Sequence, residues 1–336
     1  MHTQTPNGNH AGIFVALAKG MYKECGLDVE IISPHQDNYS ITPASKVTSG
    51  AVDIAIGPSE TVVSHVCRPE GDPLKDAIIA VGALLQEDDS AIVTTKASGI
   101  DSMKKLQGKR YASYAARYEG RIVQSMIKYA GGNGDYIECT PEKLGIWKTI
   151  LDEDGNMDAT WVFMHWEGEE AKMKGVDLHV FRLKDHGVVY GYPLVLFARR
   201  DCQNSKELSA FLKQTAEGMK YAVTHKQEAA DLVISSCKVL FPDFSFDEDL
   251  MRRSVSAASD TFLTAEEGQA LVMNEDKWNG FLDWLSENGL LTTKMQSRVG
   301  GEGKTTLDGL RQGDAGDNIP REAIQADHLF TTAHLI

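Results

Sequence analysis

The segment SYAARYEGR, residues 113–121, combines residue types that bind an anion. Arg117 and Arg121 carry positive charge, and Gly120 allows a ligand to approach the backbone closely. The segment links a predicted strand to a predicted helix, whose first free N–H groups and dipole favour a phosphate or a carboxylate. A solvated loop in which Arg117 pairs with Glu119 is the alternative. The predicted contact residues are Ser113, Tyr114, Arg117, Glu119, Gly120 and Arg121.

Two shorter polar segments stand immediately before predicted helices. In the first, Asn9 suits a helix N-cap as well as a ligand contact, whereas the His10 imidazole can both donate to and accept from a heterocycle. In the second, Ser59 either caps the next helix or binds ligand. The Glu60 carboxylate can accept two hydrogen bonds from the edge of a ligand, although a solvated glutamate in a first helical turn needs no function. We predict all four as ligand contacts.

Aromatic residues form a third group, in TWVFMHWE and around residues 190–192. Side chains alternate along a strand, and any single aromatic is more often part of the core. Together these rings resemble the stacking wall that a flat ligand needs, with a carboxylate at its edge. The predicted contacts are Trp161, Trp166, Glu167, Tyr190 and Tyr192.

Other motifs indicate no chemistry. The segment GGEGKT, residues 300–305, lacks the glycine that a phosphate loop requires five residues before Gly303, because Arg298 stands there. The ten histidines show no helical metal-binding spacing, and the five cysteines never form CxxC. We therefore predict neither a metal site nor a disulfide framework.

The charge balance, 34 basic against 48 acidic residues, gives a net charge of −14. Such a chain is repelled by nucleic acids and by anionic membrane surfaces. The opening residues lack the pattern of a secretory signal, and no window approaches the roughly 18 apolar residues of a membrane span. We expect a cytoplasmic protein in a reducing compartment, unless an N-terminal leader is missing from the sequence.

Elements that alternate between strand and helix must position these residues. Predicted strands cover 27–32, 52–56, 77–84, 91–94, 109–113, 136–139, 159–163 and 194–198. Predicted helices cover 11–23, 44–48, 61–66, 120–129, 144–151, 167–174, 206–224, 227–236, 246–256, 265–274 and 276–288. The continuous apolar run at 77–84 predicts parallel pairing. Residues 298–317 are predicted to form a surface loop.

A length of 336 residues exceeds that of a usual single core. The alternation predicts an α/β protein of two lobes, with the second inserted in the first and with a helical C-terminal part. Lobe 1 would comprise residues 1–88 and 198–336, and lobe 2 residues 89–197. Hinges near residues 86–91 and 192–199 would let the lobes close around a ligand in the cleft.

Several segments carry the pattern of a known superfamily. They are Thr5-Pro6-Asn7 with NHAG, PASKVTSGAVDIAIGPSE, SAIVTTKASGIDSMKKLQGKRYASYAARYEGRIVQ, LGIWKT and DATWVFMHWEGEEAKMKGV. In these the chain resembles the type II solute-binding superfamily, which contains sulfonate-, taurine- and thiamine-pyrimidine-precursor-binding proteins. The resemblance extends to about Asp201. It implies a Venus-flytrap fold with a small polar or pyrimidine-like ligand between the lobes.

The superfamily also includes the hydroxymethylpyrimidine phosphate synthases, in which a lysine holds pyridoxal phosphate, a histidine is consumed as substrate and a cysteine-rich run binds iron. The resemblance places Gly57 at the lysine position and Thr61 at the histidine position. The expected cysteine-rich run falls on residues 190–193, which contain no cysteine. In these enzymes the loop equivalent to residues 113–121 cradles the cofactor phosphate.

Two functional hypotheses follow. The first is a binding protein without a cofactor that closes around a thiamine-pyrimidine-like or other small anionic or heteroaromatic solute, with a transporter or a second copy as further partners. The alternative is an enzyme of thiamine-pyrimidine biosynthesis with a different catalytic set, such as His10, Glu60 or His65. Only this alternative involves pyridoxal phosphate, and whether the chain is an enzyme stays open at this point.

Overall fold

Two β-sheets, each covered by α-helices, form the framework of the protein. The structure is a computed structural model and describes residues 6–37, 40–141, 149–151, 156–296 and 303–334. The strands are β1 (Ile54–Gly57), β2 (Ile78–Ala83), β3 (Ser90–Thr95), β4 (Arg110–Ala112), β5 (Ile137–Cys139), β6 (Ala159–Phe163), β7 (Leu178–Arg182), β8 (Val195–Arg199), β9 (Met295–Gln296) and β10 (Lys304–Thr305). The α-helices are α1 (Ala11–Ala18), α2 (Met21–Glu24), α3 (Pro43–Thr48), α4 (Ser59–Val66), α5 (Glu119–Tyr129), α6 (Glu169–Met173), α7 (Lys206–Thr224), α8 (Lys226–Leu240), α9 (Glu248–Ser259), α10 (Glu275–Glu287) and α11 (Leu307–Arg311).

The first sheet has the strand order β1-β8-β2, and β8 is antiparallel to both neighbours. Its strands are apolar and buried, and successive side chains face opposite sides. Ile56 faces the core built with α1, α7, α8 and α9, whereas Ala55 faces the core that contains α4, α5 and α10. Val195 lies opposite both Gly57 and Ala83. The carboxyl ends of β1 and β2 therefore lie at one edge of the sheet.

The second sheet has the order β5-β4-β6-β3-β7. β4 is parallel to β5 and β6, whereas β3 is antiparallel to β6 and β7. The register places Ser90 opposite Phe163 and Ala91 opposite Arg182. The start of β3 and the ends of the other four strands therefore share one edge.

The chain passes from the first sheet to the second at residues 84–89 and returns at residues 183–194. The predicted two-lobe α/β architecture with a helical C-terminal part is confirmed. A lobe boundary after residue 197 would fall inside β8, which pairs with β1 and β2 along its length. We therefore place this boundary before Val195, and the division of the chain into lobes remains our proposal.

The segment that follows α10 contacts both lobes. Arg117, in the second lobe, donates a hydrogen bond to the Thr292 carbonyl at 2.7 Å. Farther along, Leu329 accepts from the Ala80 N–H of β2, and Thr331 N–H donates to the Ala80 carbonyl, both at 2.9 Å. Because α10 also packs in the core shared by the two lobes, this C-terminal segment joins the lobes in addition to the two crossovers.

Three local predictions are wrong. Residues 27–31 form no strand ladder, although their apolar side chains pack against the core. Residues 265–274 are not a helix, because Ala270 and Leu271 form bridges to neighbouring chain and Leu271 has a φ of 64°. The apolar run in β2 pairs antiparallel, because burial on both faces requires a cover on each face but does not fix strand direction.

Some differences concern less regular parts of the chain. The predicted surface loop at 298–317 contains β10 and α11, while residues 298–302 lie outside the described residues. Thr5 and most of the predicted helix at 144–151 also lie outside them. The sequence does not predict β7, an edge strand whose side chains are mostly half-buried and whose apolar pattern is therefore weak. Within the described ranges, no helix combines the length and the apolar character needed to cross a bilayer.

Candidate functional site

The candidate site lies between the lobes, where the strand ends of both sheets meet the crossovers. α4 begins at Ser59, directly after β1, while residues 113–118 follow β4 and a π-helical turn at Met164–Gly168 follows β6. Open α/β sheets bind ligands at such strand ends. The lobes are in contact here, because the Glu60 carboxylate of the first lobe accepts the Tyr118 N–H of the second at 3.4 Å.

Glu60 is buried at this contact, with 4% of its surface exposed. Its other carboxylate oxygen accepts the Tyr190 hydroxyl at 2.6 Å. Burial raises the pKa of Glu60, and the hydrogen bonds from Tyr190 and Tyr118, together with the Arg117 charge, partly offset that rise. The predicted acceptor for a ligand edge is thus already hydrogen-bonded to two protein groups in this structure.

In the loop at residues 113–121, which we predict to bind an anion, the backbone donors bind the carboxylate of the protein's own Glu119. The Glu119 carboxylate accepts the Tyr111 hydroxyl at 2.7 Å and the N–H groups of Tyr114 and Ala116, each at 3.1 Å. Burial raises the pKa of Glu119 to about 7. Ser113 supports the loop by accepting the Ala115 N–H at 2.8 Å. A carboxylate of the protein therefore occupies the donors that we predict for a ligand phosphate.

The two arginines of this loop contact the C-terminal segment. Arg117 is 8% exposed and bonds the Thr292 carbonyl, while its Nε and Nη1 have no hydrogen-bond partner. Arg121 is half-buried and donates to the Asn288 carbonyl at 3.4 Å. Both line a cavity of about 10 Å³ between α5 and residues 289–294. The alternative pairing of Arg117 with Glu119 is not what the structure shows.

Three polar residues of the first lobe carry buried atoms without partners. Asn9 Oδ1, His10 Nε2 and Ser59 Oγ have no hydrogen-bond partner in the described structure. The other ring nitrogen of His10 accepts the Asn7 N–H at 3.2 Å. Burial, together with the neighbouring His165, lowers the pKa of His10 to about 3, so the imidazole is neutral at pH 7. The described residues leave the hydrogen-bonding capacity of these atoms unused.

His165, in the second lobe, completes this polar group and is not among the predicted contacts. It is 1% exposed, its Nδ1 lies 3.3 Å from Asp89 Oδ2, and its Nε2 has no partner. Asp89 also accepts a hydrogen bond from Arg182 at 2.8 Å. The alternation in TWVFMHW, which puts His165 on the same face as Trp161, is the signal that could have found it.

The aromatic residues separate into two groups. The Trp161 ring lies 6.2 Å from that of Tyr190, close to Glu60, and Tyr190 also contacts Phe281. Tyr192, in contrast, is buried in the core, and its hydroxyl accepts the Asn274 N–H at 2.7 Å.

The other two predicted contacts of this region serve local structure. Trp166 packs against the helical core of the first lobe. Glu167 is half-buried and accepts the Phe163 N–H at 2.9 Å, and desolvation raises the pKa of Glu167 to about 7. Trp161 and Tyr190 are therefore the rings that the structure brings to the interlobe contact at Glu60.

Two inserted lobes, with buried polar groups from both at their contact, define a two-lobe solute-binding protein. The same fold occurs in the alkanesulfonate-binding protein of Xanthomonas axonopodis pv. citri bound to MOPS, with a TM-score of 0.60 and 9% sequence identity. The match covers 91% of this chain and 96% of that chain. This likeness confirms the predicted two-lobe fold.

The chain belongs to the NMT1/THI5-like family, whose model matches residues 7–229. One relative is the formylaminopyrimidine-binding protein of Halalkalibacterium halodurans, 21% identical over 289 residues, which cover 85% of this chain and 83% of that protein. Another is the 4-amino-5-hydroxymethyl-2-methylpyrimidine phosphate synthase of Candida albicans, 26% identical over 234 residues, which cover 66% of this chain and 65% of that protein.

Proposed function

We propose that the protein binds a small uncharged aminopyrimidine, related to the thiamine pyrimidine, between its lobes and releases it unchanged. The observation that carries this proposal is a set of buried polar atoms without partners in the described structure, Asn9 Oδ1, His10 Nε2 and Ser59 Oγ from the first lobe and His165 Nε2 from the second. Each such atom costs about 1–3 kcal/mol when it is left unpaired. A heterocycle with several ring nitrogens and an amino group would satisfy them.

The charges around the cleft favour a ligand without a phosphate. Glu119 already fills the backbone donors of the loop after β4, and Glu60 lies buried beside it on the other lobe. Both arginines of that loop bond carbonyls of the C-terminal segment. An anionic group would therefore have to displace a carboxylate, whereas an uncharged pyrimidine would not. Trp161 and Tyr190 supply the flat surface against which it would stack.

The residues present do not fit pyridoxal phosphate, which the enzymatic alternative requires. Gly57, at the position that the resemblance assigns to the lysine, offers no amine, and a side chain there would meet Thr61 at 3.1 Å. The loop that would hold the phosphate is occupied by Glu119. We therefore derive no catalytic step, and the similarity to the Candida synthase supports a shared pyrimidine-binding fold.

Partner and location are proposals of the same kind. A binding protein of this class would deliver its ligand to a transporter, or, in the cytoplasm that we predict, to an enzyme that consumes the pyrimidine. The net charge of −14 disfavours a nucleic acid as partner.

Isothermal titration calorimetry tests the proposed function. The protein should bind a formylaminopyrimidine and 4-amino-5-hydroxymethyl-2-methylpyrimidine, and should bind the phosphate ester of the latter at least about tenfold more weakly, because the ester brings a charge to a site without a free anion-binding loop. Mass spectrometry should recover each ligand unchanged. No heat of binding with millimolar ligand would refute the proposal, and a converted product would favour the enzyme.

A further inference from the structure

Two imidazoles, one from each lobe, are buried, and each has one ring nitrogen without a hydrogen-bond partner in the described structure. His10 is fully buried and stands before α1, which covers the first sheet, whereas His165 is 1% exposed and follows β6 of the second sheet. The elements that carry them both pack against α9. Burial and the charge of a protonated His165 lower the pKa of His10, and within the described residues neither Nε2 has a hydrogen-bond partner.

The hydrogen bond at the other nitrogen fixes the tautomer of His10. Nδ1 of His10 accepts the Asn7 backbone N–H at 3.2 Å, and a backbone N–H can only donate. Nδ1 therefore carries no proton. Because the ring is neutral at pH 7, its single proton is on Nε2. His10 presents a buried donor that has no acceptor.

The tautomer of His165 is the opposite one. Its Nδ1 faces Asp89 Oδ2 at 3.3 Å. Burial raises the pKa of Asp89, but hydrogen bonds from His165 and Arg182 outweigh burial, so the pKa of this carboxyl lies below its usual value. An ionised carboxylate only accepts, so His165 Nδ1 carries a proton. When a proton on Nδ1 is the only one on the His165 ring, Nε2 is bare, and it is then a buried acceptor without a donor among the described residues.

We propose that His10 and His165 are a specificity-determining pair that reads the donor and acceptor order along one edge of the ligand. The ligand atom facing His10 must accept a hydrogen bond, and the atom facing His165 must donate one. The ring nitrogen and adjacent amino group of a 4-aminopyrimidine have this order. The 4-oxo analogue reverses it, because it has a ring N–H beside a carbonyl.

This inference rests on the proposed function and deepens it. Although a donor and an acceptor could satisfy each other directly, the two Nε2 atoms do not bond in this structure. A ligand edge that bonds both Nε2 atoms would join the lobes. Because His10 Nε2 carries a proton, the pair does not offer two lone pairs to one metal ion.

Nitrogen-15 NMR of the histidine-labelled protein without ligand tests the tautomers. At pH 7, the two-bond ring correlations should show a protonated Nε2 in His10 and a protonated Nδ1 in His165. The variants His10→Phe and His165→Phe assign the two signals. Identical neutral tautomers for the two rings would overturn the inference, whatever the ligand.

Calorimetry with 4-amino-5-hydroxymethyl-2-methylpyrimidine and its 4-oxo analogue tests whether the protein selects a ligand by its donor and acceptor order. The wild type should prefer the amino compound by about 100-fold, because two hydrogen bonds are reversed in the analogue. Each phenylalanine variant should lower that preference about tenfold, while His328→Phe, at an exposed histidine, should not. Melting temperatures confirm folding, and the comparison of the two ligands on the wild type does not depend on any variant folding.

The outcomes separate the two proposals. If the wild type binds both compounds equally, His10 and His165 do not determine the selectivity between them. The proposed function stands in that case. If neither compound binds, the proposed function and the pairing with a ligand both fail, even where the tautomers are as expected.

Discussion

The carboxylate of Glu119, which fills the loop after β4, makes the free energy of unfolding depend on pH. Burial raises its pKa from 4.5 to about 7 in the folded protein. A pKa that is higher in the folded state means that the native protein holds a proton that the unfolded chain has lost. Its contribution is therefore most favourable below pH 4.5 and is lost as pH rises through about 7.

The variant Glu119→Gln isolates this effect, because glutamine has the same shape and does not titrate. The pKa rise corresponds to about 3 kcal/mol of folding free energy that the wild type loses between pH 4.5 and pH 8. At every pH the variant also loses an acceptor: its amide oxygen can replace the oxygen that Tyr111 and Tyr114 share, and the Ala116 N–H then faces the NH2 group unpaired, at a cost of about 1.5–3 kcal/mol. The wild type should therefore be the more stable protein at pH 5, and at pH 8 the variant should equal it or exceed it by up to about 1.5 kcal/mol.

Urea denaturation of both proteins at pH 5, 6, 7 and 8 measures this difference, with Glu266→Gln at an exposed glutamate as the control. The control should change by less than about 0.5 kcal/mol across the series. A difference between wild type and Glu119→Gln that does not vary with pH would refute the burial argument. In that case the carboxylate would be solvated, and the loop would be open to a ligand anion after all.

Three further predictions concern the lobe contact. Tyr190→Phe removes the 2.6 Å hydrogen bond to Glu60, so the buried carboxylate loses a partner and stability should fall by about 1–3 kcal/mol in urea denaturation; unchanged stability would contradict the bond. Arg117→Leu leaves the Thr292 carbonyl unpaired, so the melting temperature should fall. Calorimetry should find a pyrimidine affinity within about threefold of wild type. A large loss of affinity at unchanged stability would instead show that Arg117 binds an anion. Trp161→Ala removes a stacking surface and should weaken pyrimidine binding about tenfold in calorimetry, with little change in melting temperature because the ring is half-buried; equal affinity would place the ligand elsewhere.

The sequence predicts the architecture better than the pairing of its strands. The β6 prediction, 159–163, coincides with the observed strand, and most helices lie within a few residues of their predicted bounds. These elements have strong periodicity and clear ends. The direction of β2 depends on β8, more than 100 residues away, and no local pattern encodes it.

The sequence predicts which segments form the candidate site, but it predicts less well what each side chain contacts. The strand ends that carry Ser59, Glu60 and the loop at 113–121 are at the lobe contact, as topology requires. The sequence does not show that Glu119 turns back into its own loop, because that depends on the left-handed φ of 54° at Ala115. Nor does it show that Asp89 fixes the His165 ring, which depends on the crossover geometry.

The C-terminal segment has a mechanical consequence. Two lobes that are joined only by two crossovers can rotate relative to each other about the line through those crossovers. The tie from Thr292 to Arg117 and from Leu329 to Ala80 adds a third connection between the lobes. A connection that does not lie on the line through the two crossovers resists rotation about that line. Opening the lobes therefore requires either release of one end of this tie or extension of the chain between its ends, and that length sets the widest angle at which the protein can admit a ligand.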